Sequence, residues 1–294
     1  MKFCRIPALC ARCGVSSDRN LIPEVMRMNA SMERKKDGDL VFYTSRTIDI
    51  PHMFTTKFGG VSTGHVASLN LGFNRGDERE NVLKNYDILA GWFGVEKERL
   101  TCTKQVHNDE VGVVTEKEIG MGLGQPNSWQ VDALVTNLPG VPLCGFYADC
   151  VVTLLYDPVS RSIAACHSGW RGTAKGILKK TVRTMAEQYG AKPENIRAVI
   201  GPSIRTCCFE TDRDVPDAMR EEMGERVNPY IEKRGAKYFP DLQGINAMLL
   251  REAGVEQIVD SEICTKCHSD IFWSHRATQG HRGVHAGVIM LPKE

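Results

Sequence analysis

Val151-Val152-Thr153-Leu154-Leu155-Tyr156 is a nearly continuous apolar run, and it constrains the fold more than any other segment. A strand that is apolar on both faces must be covered on both faces. Asp157-Pro158 then turns the chain, and Ser162 to Cys166 reads as the next strand. Thr173 to Tyr189 follows as a helix. Ala174, Ile177, Leu178, Val182, Met185, Ala186 and Tyr189 make its apolar face, and Gly190 ends it. Elsewhere Leu40 to Tyr43, Leu100 to Val106, Glu110 to Val114, Asp132 to Asn137 and Ile196 to Ile200 read as strands. Glu80 to Phe93 and Asp241 to Glu252 read as helices with inward apolar faces. Strands and helices interleave throughout, so the expected class is α/β (α+β). No repeat or Pro/Ser-rich linker divides the chain, so a single domain over 41–294 is expected.

The chain has 294 residues and a formal net charge of +1, with 42% hydrophobic and 25% charged residues. That composition is ordinary for a soluble globular protein with a substantial core. A general nucleic-acid binder carries a basic face, so no nucleic-acid partner is expected. No apolar run approaches the roughly 18–20 residues needed to span a bilayer, so no membrane partner is expected either. The apolar stretch Ile6 to Ala11 is interrupted by Arg12, short of a signal-peptide core, which points to a cytoplasmic protein.

In that setting the 11 cysteines are metal ligands, catalytic groups or buried side chains rather than disulfides. Residues 1–40 read as a variable, disordered N-terminal extension, including the charged run Glu33 to Asp39. Cys10-Ala11-Arg12-Cys13 has the spacing of half a zinc site, but no partner half lies near it. Cys264-Thr265-Lys266-Cys267-His268 has the spacing of a haem attachment, which needs an export context that the chain does not show. The adjacent Cys207 and Cys208 read as core or rim, and Cys144 and Cys166 as buried small hydrophobes.

Two glycine-rich segments resemble nucleotide loops without matching them. In Phe58 to Gly64, His65 stands where a phosphate-binding loop needs Lys. Gly120-Met121-Gly122-Leu123-Gly124 breaks the dinucleotide spacing and reads as a flexible loop or lid.

Three segments place soft or nitrogen donors at strand ends: Gln105-Val106-His107, Ala148-Asp149-Cys150 and Cys166-His167-Ser168-Gly169-Trp170-Arg171-Gly172. Two imidazoles and a thiolate suit Zn²⁺, and Cu²⁺ is also compatible. Three protein donors leave a position open for water or substrate. The separations along the chain match no compact metal motif, so two ordinary histidines and a buried thiol fit equally well. Arg171 and the start of the following helix offer an anion site. A thiol hydrolase with Cys150 as nucleophile and His167 as base is a further reading.

One resemblance spans the chain from about Ile50 onward. It is carried by Phe54 to Ser62, Ser68-Leu69-Asn70-Leu71-Gly72, Gln105 to His107, Asp132 to Thr136, Ala148 to Cys150, His167 to Gly172, Ile200 to Ile204 and Cys264-Thr265. This ordered set resembles the laccase-domain family, first named multicopper polyphenol oxidoreductases and now described as purine nucleoside phosphorylases. The resemblance implies phosphorolysis of adenosine, inosine, guanosine and methylthioadenosine, together with adenosine deamination. It implies that His107, Cys150 and His167 bind the catalytic metal, usually zinc. It also implies an α-β-β sandwich resembling the cytotoxic necrotizing factor-like cysteine hydrolase fold.

Within that reading, Asp149 and Asp132 are the candidate proton carriers. Lys57, Gly60, Ser62, Asn70, Arg171 and Arg276 are the candidate binding residues for phosphate and nucleoside. The partners are purine nucleosides and phosphate, and the chain is a monomer or homodimer. Lys57 stands where the family usually has Arg, which removes a bidentate fork. His275 stands for an aromatic residue in Phe272-Trp273-Ser274-His275-Arg276-Ala277, and one Arg of the usual pair is missing. A polyphenol oxidase of the multicopper kind needs paired histidine clusters, whereas the 8 histidines here are scattered.

Overall fold

The structure is a computed structural model that describes residues 32–293. The strands are β1 (Met32–Asp37), β2 (Leu40–Ser45), β3 (His52–Thr55), β4 (Thr101–Cys102), β5 (Val111–Val113), β6 (Ala133–Thr136) and β7 (Leu143–Tyr147). They continue as β8 (Val151–Asp157), β9 (Ser162–Ser168), β10 (Arg197–Ile200), β11 (Ile231–Arg234), β12 (Lys237–Pro240), β13 (Gln257–Asp260) and β14 (His285–Ile289). The helices are α1 (Arg79–Trp92), α2 (Trp170–Ala174), α3 (Ile177–Tyr189), α4 (Asp214–Met223), α5 (Leu242–Glu252) and α6 (His275–Thr278).

Two six-stranded sheets form, in the orders β1-β2-β3-β14-β7-β4 and β13-β10-β8-β9-β6-β5, and β11-β12 make a separate hairpin. The apolar run from Val151 is β8, in the interior of the second sheet, with every residue buried. Its side chains alternate between two cores. Val152 and Leu154 meet Phe54, Leu143 and Ile289 between the sheets. Val151 and Leu155 meet Ile177, Leu178, Val182 and Met185 of α3 and Ile245 and Leu249 of α5 on the outer face. Each such side chain contributes about 1.5–3 kcal/mol on burial. The first sheet is covered as well: Val82, Tyr86 and Leu89 of α1 pack on Met53, Ala286 and Val288. The layering is therefore helix, sheet, sheet, helices, one helical layer more than the expected α-β-β order. Among the described residues no helix is long and apolar enough to cross a membrane.

Four sequence expectations change. The charged run Glu33 to Asp39 is largely exposed as expected, but most of it is ordered as β1, an edge strand paired antiparallel with β2. Lysines and arginines on an edge strand discourage further pairing. Residues 1–31, with Cys10 and Cys13, lie outside the described residues.

The helix expected over Thr173 to Tyr189 is two helices, because Gly176 takes the left-handed conformation at φ +73° between α2 and α3. The strand expected over Leu100 to Val106 stops at Cys102. Beyond it the Gln105 side chain replaces the ladder, donating to Phe146 O at 2.8 Å and accepting from Phe146 N at 2.6 Å. The segment Gly120 to Gly124 is a tight turn packed on residue 98 rather than a lid. A Cβ at Gly120 would stand 1.9 Å from Glu98 O.

Candidate metal centre and cavity

Antiparallel pairing of β6 with β9 sets Ala133 opposite Cys166. The next residues, Asp132 and His167, therefore meet just beyond the ladder, and His167 N donates to Asp132 O at 2.8 Å. The Asp132 side chain is fully buried. One carboxylate oxygen stands 2.7 Å from His167 Nδ1 and accepts from His107 N at 3.1 Å. The other accepts from Val106 N at 3.0 Å and Asn108 N at 3.1 Å. A single carboxylate thus fixes one histidine ring and the loop that carries the other. Burial opposes ionisation of Asp132, but the bond to His167 and these backbone donors outweigh it and hold the carboxyl below its ordinary range.

Cys150 begins the approach to β8. Its Sγ lies 3.8 Å from His107 Nε2, and the two imidazole rings meet edge to face with centroids 5.0 Å apart. One donor atom from each of His107, Cys150 and His167 falls within 4.8 Å of the others. Burial alone would raise the Cys150 thiol, but hydrogen bonds from His107 and His167 bring it down to about 6. Burial would lower His167, but its bonds to Asp132 and Cys150 take it up to about 9. Asp132 occupies Nδ1, so His167 offers Nε2 to the centre, as metal-ligating histidines commonly do. The donor set fits one tetrahedral ion with Zn–N near about 2.0–2.1 Å, Zn–S near about 2.3 Å and one open position.

The backbone here is strained at two non-glycine residues. His107 has φ +61° and Asp149 has φ +91°. Such conformations cost about 1–3 kcal/mol each and persist only when the surroundings enforce them. For Asp149 the enforcement is visible: its carboxylate accepts from Thr265 Oγ1 at 2.6 Å and from Arg276 N at 2.7 Å. Gly169 leaves room for the His107 ring, since a Cβ there would stand 2.8 Å from His107 Cδ2.

The three donors open into a cavity of about 590 Å³, within the usual range for small-molecule sites. Its walls include the aromatic side chains Phe73, Phe146 and Tyr147 and the cationic residues Arg75, Lys104 and Arg282. Arg282 is the most confined cation. Burial and the facing Arg75 lower it to about 10, and its Nε has no hydrogen-bond partner among the described residues.

The binding residues expected from sequence stand elsewhere. Lys57 donates to Ser269 O at 2.9 Å and lies over the Phe58 and Trp273 rings. Gly60 is packed against Ser68 and Leu69. Ser62 and Asn70 both donate to Asp77 Oδ2, at 2.6 and 2.8 Å, and so brace the loop that leads to Arg75. Arg171 is exposed and stacks on Trp170 at the start of the five-residue α2. Arg276 turns its guanidinium to Cys208 O and Glu210 O. None of these six lines the cavity, and neither do Asp132 and Asp149, which hold its frame.

Sequence reasoning missed Arg75 and Arg282. The available signal was position: Arg75 lies three residues beyond the Ser68 to Gly72 motif, and Arg282 lies six beyond Arg276.

Fold and cavity define a mixed α/β protein whose two-histidine, one-thiol centre is suited to an ion with an open coordination position. The chain belongs to the multi-copper polyphenol oxidoreductase laccase family, whose profile matches residues 51–292. It is 36% identical over 234 residues to the purine nucleoside phosphorylase YlmD of Bacillus subtilis, covering 78% of this chain and 84% of that protein. It is 38% identical over 245 residues to a purine nucleoside phosphorylase of Deinococcus radiodurans, covering 83% and 90%. The crystal structure of YlmD from Geobacillus stearothermophilus superposes with a TM-score of 0.82 at 32% identity, covering 88% of this chain and 99% of that one.

Proposed function

We propose that the chain catalyses phosphorolysis of purine nucleosides (adenosine, inosine, guanosine and methylthioadenosine) and hydrolytic deamination of adenosine to inosine. The observation that carries this reading is the cavity itself, where aromatic walls, two guanidiniums and a three-donor metal centre converge. The relatives' shared name supports it.

In phosphorolysis an oxygen of hydrogen phosphate forms a bond to C1′ of the ribose, the C1′–N9 bond breaks, and the proton of the phosphate passes to the departing base. Arg75 and Arg282 bind and orient the phosphate, with Lys104 adding charge at the wall. Phe73, Phe146 and Tyr147 offer apolar surface to the purine. His107, Cys150 and His167 would hold a zinc ion, which when bound supplies Lewis acidity to an oxygen nucleophile. Asp132 keeps His167 in the tautomer that presents Nε2, and Asp149 holds the turn that presents Cys150.

A second reading rests on one observation. Asp132, His167 and Cys150 form a carboxylate–imidazole–thiol series with the thiol lowered to about 6, the arrangement of a thiol hydrolase. Copper-dependent oxidation of phenols has less support. Among the described residues the metal-competent groups are this centre and a four-cysteine cluster, not paired histidine sets.

The test is product analysis of the zinc-loaded protein with adenosine, inosine, guanosine and methylthioadenosine, with and without phosphate. Phosphate-dependent release of free base is expected, along with phosphate-independent formation of inosine from adenosine. Intact nucleosides under both conditions would remove the phosphorylase reading. Full activity after chelation, abolished by alkylation of Cys150, would replace it with the thiol enzyme.

A further inference from the structure

Four cysteines that the proposed chemistry does not use come together about the turns that follow β10 and β13. Cys207 and Cys208 are adjacent, and Cys264 and Cys267 are separated by two residues. All four sulfurs lie within 4.8 Å of one another. Cys267 Sγ is 3.6 Å from Cys207 Sγ and 3.5 Å from Cys208 Sγ. A tetrahedral ZnS₄ unit with bonds of about 2.3 Å has sulfur–sulfur edges of about 3.8 Å, so these separations need only a slight expansion.

We propose that Cys207, Cys208, Cys264 and Cys267 bind a structural zinc ion as a closed tetrathiolate site, separate from the His107–Cys150–His167 centre.

Three further features fit. The two segments are already tied by backbone: Ser203 pairs with Cys264 as an isolated bridge, Thr265 N donates to Ser203 O at 3.1 Å, and Ser203 N donates to Ile263 O at 3.2 Å. This preorganises one cysteine pair against the other. Backbone N–H groups of Cys267 and Arg205 point at the Cys264 sulfur, which is how thiolates in such sites are stabilised. Cys208 and Cys264 are buried while Cys207 and Cys267 are partly exposed, so the site is shielded yet open enough for an ion to enter. Soft all-sulfur tetrahedral donors select zinc over the hard cations, and binding releases the thiol protons. Convergence of four sulfurs on one volume, with Cys267 about equally near two of them, fits a single shared ion better than two separate disulfide bonds.

The site also bears on the neighbouring centre. Thr265, inside the Cys264–Cys267 turn, donates to Asp149, and the Cys208 carbonyl accepts from Arg276, whose own N–H holds Asp149. A zinc staple here would fix the two supports of the strained residue before Cys150.

The test uses the full chain with the other centre disabled by His107→Ala and Cys150→Ser. Purified from zinc-supplemented cells, it is expected to hold one zinc per chain. Zinc-edge X-ray absorption should show four sulfurs at about 2.3 Å. Adding Cys264→Ser and Cys267→Ser should abolish that zinc. If the added changes prevent folding, the absorption spectrum of the two-substitution chain still decides. A chain without zinc would overturn the proposal, as would zinc in a nitrogen and oxygen shell or iron in place of zinc. An intact mass two hydrogens light per disulfide would overturn it as well.

Discussion

Two thiol-bearing centres lie among the described residues, and they are built in opposite ways. The His107–Cys150–His167 centre draws one side chain from each of three distant segments, sits at strand ends and opens into a cavity of about 590 Å³. The Cys207–Cys208–Cys264–Cys267 cluster draws two from each of two turns and lines no part of that cavity. Three mixed donors with an open position suit catalysis, whereas four thiols closed on themselves suit structure. Both centres have a non-glycine residue of positive φ close by: His107 and Asp149 at the first, and Glu262, two residues before Cys264, at the second. Asp149 connects the two regions, since its carboxylate is held from the cysteine side of the fold.

The largest effect should come from breaking the open centre alone. His107→Ala removes a donor at the exposed side of the cavity, where folding depends on it little. Phosphorolysis should fall by more than about 10²-fold, beyond the loss typical of an outer-shell partner. Metal analysis should show one equivalent lost while the four-sulfur shell remains. Full activity with unchanged metal content would disprove the ligand assignment. Next in size is Asp132→Asn. The amide keeps the shape but cannot accept from both Val106 and Asn108 on one atom and from His107 and His167 on the other. Metal affinity and activity should each fall by about 10–100-fold. Titration with a metal indicator checks the first, and steady-state kinetics the second.

Arg282→Met tests the anion wall of the same cavity. The loss of a hydrogen bond to a charged group is worth about 1.5–3 kcal/mol, so KM for phosphate should rise by roughly tenfold to a hundredfold. Deamination of adenosine, which uses no phosphate, should change much less. Equal losses in both reactions would mean that Arg282 maintains the cavity rather than binding phosphate.

The two centres also differ in how far the sequence discloses them. Strand and helix positions were readable because each apolar pattern has one consistent burial, as in β8 and α3. For the open centre, donor chemistry at strand ends suggests the three side chains but leaves ordinary histidines and a buried thiol equally open; the family motifs tip that balance, since donors this far apart carry no spacing signal. The cysteine cluster had the reverse problem. Cys264-x-x-Cys267 is the spacing of half a zinc site, but its partner is an adjacent pair 56 residues earlier, joined to it through the Ser203–Cys264 bridge. Alone, Cys207-Cys208 reads as core or rim and Cys264-x-x-Cys267 as a haem-attachment spacing without its context; only the topology unites them. The cavity cations were obscure for another reason. Lys57 and Arg171 stand in motif segments yet turn to Ser269 and Trp170, whereas Arg75 and Arg282 lie outside the motifs and line the cavity. Motif membership fixes where a backbone runs, but side-chain direction follows from packing.

The smallest effect should come from Thr265→Val, which cuts the link between the two centres without touching either donor set. Valine conserves the shape and removes the hydroxyl that donates to Asp149 Oδ1. The other carboxylate oxygen keeps its bond from Arg276 N. Asp149 should therefore retain its φ of +91° in most molecules, with the turn less tightly held. One such bond contributes about 1.5–3 kcal/mol when the acceptor is charged, and part of that loss is recovered by water. Thermal unfolding should shift down by a few degrees, since about 1 kcal/mol moves Tm by roughly 2–4 °C in a chain of this size. Both metals should stay bound, and kcat should fall by no more than a few-fold. A large loss of activity with both metals in place would show that the cysteine turn sets the position of Cys150 far more strictly than one hydrogen bond implies. In that case the closed centre would act as a support of the open one.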